Sequence, residues 1–98
     1  MKIFRIDCSN IDSYEDFIEA FNTGMIRSVR GEWNGNLDAF NDYLSWPDDF
    51  PYQISLIGSS RCEATLNYKR NPDDLRSLWS IIKEIFDDNK KGVVVSYD

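Results

Sequence analysis

The chain has 98 residues, of which 42% are hydrophobic, and it carries a formal net charge of −6. This length suits one small domain with a single core, and the negative charge disfavours nucleic acid or an anionic membrane and favours a basic partner. No apolar run approaches the roughly 20 residues of a membrane span, and no signal peptide is visible at the N-terminus, so we expect a cytoplasmic protein.

Residue types that build metal and redox sites are scarce in this chain. Histidine is absent, and Cys8 and Cys62 do not form a C-x-x-C pair. We therefore expect no zinc site and no bound cofactor. Two lone thiols suit a reducing cytosol.

The first 30 residues predict a strand, a helix and a connector. Residues 2–7 alternate in polarity, which is typical of a strand. Ser13 then occupies the N-cap of a helix that Gly24 closes, and residues 25–30 lead to the next element. The apolar face of this helix recurs at i, i+3, i+4 and i+7, through Tyr14, Phe17, Ile18 and Phe21.

The stretch from Gly31 to Trp46 begins as a turn and continues as a helix. Asn34-Gly35 favours a turn because glycine takes positive φ without steric cost, and Asn36 follows at the N-cap position. One face of the helix is apolar, through Leu37, Phe40, Tyr43 and Leu44.

The opposite face of the same helix carries Asp38 and Asp42, two carboxylates one turn apart. Like charges at this spacing repel each other and cost an isolated helix a few tenths of a kcal/mol. Trp33 and Trp46 stand at the two ends of the stretch. On composition alone, these acids would form an ordinary solvated face.

After the acidic loop between Pro47 and Pro51, residues 53–57 predict a second strand, which residues 58–60 end. Residues 61–70 fit either a short helix or a structured loop. A last helix is predicted from Asn71 as N-cap and Pro72 as first position, and residues 89–92 end it. Its apolar stripe comprises Leu75, Leu78, Trp79, Ile82, Ile85 and Phe86, with Glu84 on the opposite face.

Residues 93–95 are three consecutive valines, which predict a buried strand in the middle of the sheet. Long helical connections between strands favour a parallel sheet with helices packed on it. The sequence therefore predicts a single α/β domain over residues 1–98.

The run from Asn36 to Leu44 resembles the barstar family of small ribonuclease inhibitors. The family pattern is an aromatic residue, a glycine-containing turn, and then Asn-Leu-Asp-Ala-hydrophobic-x-Asp-x-Leu. Here Asn36, Leu37, Asp38, Ala39, Phe40, Asp42 and Leu44 match it in unbroken register, with Trp33 as the aromatic. The resemblance implies a barstar-like α/β fold with three parallel strands and about four helices.

The same resemblance implies an immunity protein that plugs the active site of a basic ribonuclease or nuclease toxin, as in a toxin–antitoxin pair. Its carboxylates would stand in for RNA phosphate, with Asp42 in the catalytic pocket and Asp38 supporting it. The implied contact residues are Trp33, Asn34, Gly35, Asp38, Asn41, Asp42, Trp46 and Glu84. The free protein would be a monomer, not an enzyme, and would not touch nucleic acid directly.

Two positions depart from the family pattern. Asn41 and Glu32 stand where the best-known member carries aromatic residues, which puts the identity of the target in question more than the fold. The chief alternative is a binding module on this fold for a basic protein that is not a nuclease. A carboxylate-dependent hydrolase using Asp38 and Asp42 comes third, because nothing on an exposed helix face gives the two carboxylates the different environments that acid and base roles require.

Overall fold

Three parallel strands and four α-helices make up the computed structural model, which describes residues 1–98. The strands are β1 (Lys2–Asp7), β2 (Tyr52–Ile57) and β3 (Val93–Tyr97), and the helices are α1 (Tyr14–Gly24), α2 (Leu37–Tyr43), α3 (Ser59–Leu66) and α4 (Leu78–Asp88). A short 3-10 helix (Ile26–Val29) joins α1 to the turn before α2. The predicted α/β architecture is confirmed. No helix is both long and apolar enough to span a membrane.

The sheet has the order β1-β2-β3, with both pairs parallel. The prediction that the valine run forms the middle strand is therefore wrong, because β2 lies in the middle and β3 at an edge. Val93 is buried whereas Val94 is 46% exposed, so only one face of β3 packs against the core. A run of valines indicated burial on both faces, but β-branched residues also suit a half-buried edge strand.

Aromatic rings join helices α1, α2 and α4 in the core. The ring centroid of Phe40 in α2 lies 5.0 Å from that of Phe21 in α1 and 5.8 Å from that of Phe86 in α4. A seven-residue helix is not stable alone, so this packing is what holds α2. Burial of one such side chain contributes about 1.5–3 kcal/mol.

Helix α4 begins at Leu78, which corrects the prediction that it begins at Pro72. Ser77 is the N-cap, and its hydroxyl accepts a hydrogen bond from the backbone of Ser80 at 3.1 Å. The side chain of Asn71 instead closes its own turn in the preceding loop. Within the predicted apolar stripe, Leu75 is 88% exposed, Ile85 is partly buried and the other members are buried.

The structure also corrects the prediction of two lone thiols, because Cys8 and Cys62 form a disulfide. Cys8 follows β1 and Cys62 lies in α3, and their Cα atoms are 5.8 Å apart. The two residues are 54 positions apart in sequence, so no local spacing signals the pair. Residues 61–70, left open from the sequence, contain the end of α3 and a loop.

Candidate partner-binding surface

The turn before α2 has the structure that its sequence predicts. Gly35 has φ of +99°, and a Cβ there would lie 2.7 Å from the side chain of Ile18. The side-chain oxygen of Asn34 accepts from the backbone N–H of Asn36 at 3.2 Å. Asn36 in turn caps α2, since its side chain accepts from the backbone N–H of Ala39 at 2.9 Å. Glycine suits the third position of this turn because the positive φ angle disfavours any side chain, and an added Cβ would also require the end of Ile18 to move.

Trp33 lies in the core, although it was predicted to contact a partner. Its side chain is only 2% exposed, and its indole Nε1 donates to the carbonyl of Asn36 at 2.7 Å. The buried amide of Asn22 accepts from the Trp33 backbone N–H at 2.8 Å and donates to the Trp33 carbonyl at 2.9 Å. The ring of Trp33 therefore supports the turn from beneath and is not available at the surface.

Two tyrosines, the buried Tyr52 and the partly buried Tyr14, fix the two ends of the helical segment. The hydroxyl of Tyr14 donates to the carbonyl of Gly35 at 2.7 Å, and that of Tyr52 donates to the carbonyl of Leu44 at 2.6 Å. Burial raises the pKa of Tyr14 to about 12 and raises the pKa of Tyr52 as well. Both hydroxyls therefore stay protonated and able to donate at neutral pH.

The outer face of α2 presents Asp38, Asn41 and Asp42, all of which are exposed. Neither aspartate is in an ion pair within the chain. Asp42 accepts one long hydrogen bond, 3.4 Å, from Nε1 of Trp46, which is 43% exposed. The two carboxylates are thus held on a fixed helix while they remain open to an external cation.

A groove runs between α2 and α4 and brings three of the predicted contact residues together. Asp38 and Asn41 line one wall, while Glu84 and Asp88 line the other. The amide of Asn89 at the end of α4 donates to the side-chain oxygen of Asn41 at 2.8 Å, which ties the two helices together. Asp42 and Trp46 are not part of this groove.

Arg76 is a member of this groove that sequence reasoning missed. Its guanidinium donates to both carboxylate oxygens of Asp74, at 3.0 and 2.9 Å, and also pairs with Glu84. These hydrogen bonds lower the pKa of Asp74 to about 2. In the helix predicted from residue 72, Arg76 and Glu84 would stand two turns apart, beyond the spacing at which helical side chains pair.

The model of the family described as Barstar (barnase inhibitor) matches residues 1–98, the whole of this chain. No curated protein and no solved structure matches this chain.

Proposed function

The chain belongs to the Barstar family, and from that premise we propose that it is an immunity protein that binds a cognate ribonuclease and blocks its active site. The family description supports a role as a ribonuclease inhibitor in general, and inhibitors of this kind are not themselves enzymes. The proposal goes further in naming the surface, the residues and the physical basis of the inhibition.

The observation that carries the proposal is the pair of unpaired carboxylates on a helix fixed at both ends. A ribonuclease stabilises the charge of a phosphate with arginine, lysine or histidine donors. A carboxylate that is already positioned offers those donors a charge-assisted hydrogen bond without further ordering of the chain. Asp38 and Asp42 meet this requirement, since neither has a cation of its own.

We assign the central role to Asp42, which enters the catalytic pocket, and a supporting role to Asp38. The exposed Trp46 lies against Tyr43, with ring centroids 4.6 Å apart, and supplies an aromatic surface beside Asp42. Asn34 contacts the enzyme through the turn, whereas Gly35 is buried and only shapes that turn. Asn41 and Glu84 contact the enzyme from the groove. Trp33 acts only through its support of that turn.

The target differs from barnase in its contact surface. Glu32 pairs with Arg27 at 2.8 Å, and Asn41 is hydrogen-bonded to Asn89, so both positions make polar contacts where the best-known member carries aromatic anchors. Aromatic anchors often dominate the energy of an interface. A basic enzyme remains the expected partner because the chain carries a net charge of −6.

The test is RNA cleavage by barnase and by a panel of basic microbial ribonucleases, with and without the purified protein. Asp42→Ala should weaken inhibition of the susceptible enzyme at least about 30-fold. Removing one member of a buried charge pair costs about 2–5 kcal/mol or more, a general figure that the barnase–barstar pair itself helped to establish. The melting temperature should change little, because the free energy of unfolding should stay within about 0.5 kcal/mol for an exposed residue.

Asp49→Ala is the matched control, since Asp49 is an equally exposed acid in the loop after α2. It should leave inhibition nearly unchanged. An equal loss of inhibition in both variants would mean that only net charge matters, and RNA cleavage by the purified protein alone would contradict the inhibitor role.

A further inference from the structure

Leu75 is the most exposed large hydrophobic residue of the chain, with 88% of its surface accessible. It lies in the loop between α3 and α4, over residues 71–77, which we call the Leu75 loop. A single exposed leucine is common on protein surfaces and by itself indicates nothing. The two features that distinguish Leu75 are the rigidity of its loop and its position.

Hydrogen bonds fix the backbone on both sides of Leu75. Before it, the N–H of Asp73 donates to the side chain of Asn71 and the N–H of Asp74 to the Asn71 carbonyl, each at 3.0 Å. Across it, the N–H of Arg76 donates to the carboxylate of Asp74 at 2.9 Å, and the Arg76 guanidinium binds that same carboxylate.

The Arg76 guanidinium also forms a salt bridge with Glu84, which links the Leu75 loop to α4. The leucine is therefore displayed from an ordered turn.

The Leu75 loop borders the groove that carries Asp38. Asp74 and Arg76 line that groove together with Leu37 and Asp38 of α2. A smaller adjoining depression is lined by Leu37, Arg70, Asn71, Asp74, Arg76 and Ile81, so the loop meets the N-terminal end of α2 without a gap. Leu75 is not itself in either lining but lies between Asp74 and Arg76 in the chain, so a partner that covers the groove and extends past its rim would meet the leucine.

We propose that Leu75 is a specificity-determining contact, which inserts into an apolar depression on the target ribonuclease at the edge of its basic active-site cleft. This inference rests on the proposed function. Asp73 and Asp74 precede the leucine and Arg76 follows it. Asp74 is paired with Arg76 whereas Asp73 has no ion pair within the chain, so the complementary surface is an apolar depression with a cation beside it. Because hydrogen bonds already constrain the loop backbone, burial of Leu75 in the complex costs mainly the rotamer entropy of that one side chain.

The experiment compares inhibition constants and dissociation rates of the wild type and Leu75→Ala against the same panel of ribonucleases, barnase included. Full burial of a leucine side chain corresponds to a change in affinity of about tenfold or more, expressed mainly in the dissociation rate. Leu75→Ala should leave the melting temperature unchanged, since the side chain is almost fully exposed in the free protein.

Val94→Ala is the control variant, because Val94 is a 46% exposed apolar residue on the edge strand β3. It should bind within about twofold of the wild type, because Val94 lies outside the groove and outside α2. A tenfold loss confined to Leu75→Ala supports the inference, and an equal loss in Val94→Ala would overturn it.

Asp42→Ala separates the inference from the function on which it rests. If Asp42→Ala weakens inhibition while Leu75→Ala does not, the inference is overturned and the proposed function stands. If the wild type inhibits no ribonuclease of the panel, both are overturned.

Discussion

Asn22 should be one of the residues on which the stability of the protein depends most. It is the one buried polar residue of the chain, 3% exposed, and it lies on α1. Its amide makes two hydrogen bonds to the backbone of Trp33, at 2.8 and 2.9 Å. The substitution Asn22→Ala removes both bonds and leaves the N–H and the carbonyl of Trp33 without these partners.

The expected cost follows from the burial of these groups. A buried donor or acceptor that loses its partner costs about 1–3 kcal/mol, so two of them give a loss of roughly 2–4 kcal/mol after partial relaxation. For a domain of this size, 1 kcal/mol corresponds to about 4–8 °C in Tm. We therefore expect a decrease of roughly 10–25 °C.

Thermal and urea unfolding followed by circular dichroism would measure this loss. Asn10→Ala is the matched control, because Asn10 is exposed and should change the unfolding free energy by no more than about 0.5 kcal/mol. A melting temperature of Asn22→Ala within a few degrees of the wild type would refute the reasoning. The Trp33 backbone would then have found water or another partner.

Two further predictions concern the pH dependence of stability, measured by urea unfolding. Burial raises the pKa of Tyr14 to about 12. The protonated hydroxyl therefore contributes its full share to the free energy of unfolding below about pH 10, and this share is lost as pH rises towards 12. Tyr14→Phe should reduce this alkaline loss of stability. Hydrogen bonds from Arg76 lower the pKa of Asp74 to about 2. These bonds therefore contribute to the free energy of unfolding above about pH 4, and the contribution is lost as pH falls towards 2. Arg76→Gln should reduce this acidic loss of stability. A variant whose pH profile matches that of the wild type would contradict the corresponding assignment.

The helix at the proposed surface could be predicted because its signals are local. The turn at Gly35, the cap at Asn36 and the apolar position of Phe40 act within a few residues of one another, and the structure confirms each of them. Asp38 and Asp42 then follow on the exposed face from the helical period alone. Their role in binding a partner stays a prediction.

The loop before α4 could not be predicted because two start signals overlap. Both Asn71 and Ser77 are suitable N-cap residues, and the proline and acids that follow Asn71 favour the earlier start. Tertiary contacts determine where the helix begins, since the backbone N–H of Leu78 donates to the carbonyl of Tyr68 at 2.7 Å. The misplacement of Leu75 and Arg76 has the same cause, because both were assigned to a helix that begins after them.

The rigidity of the proposed surface is a property of the whole fold. Isolated helices as short as α2 are marginal in water, so its local signals alone would not keep the carboxylates in place. Three side chains from outside α2 supply what the local sequence lacks: Tyr14 holds the turn, Asn22 holds the residue beneath it, and Tyr52 holds the exit from the helix. Each binds a backbone group 8 to 21 positions away, beyond the reach of helical periodicity. If α2 were disordered, it would lose conformational entropy on binding, and this loss would weaken the complex. An inhibitor that relies on carboxylates placed in advance therefore depends on residues that never contact the partner.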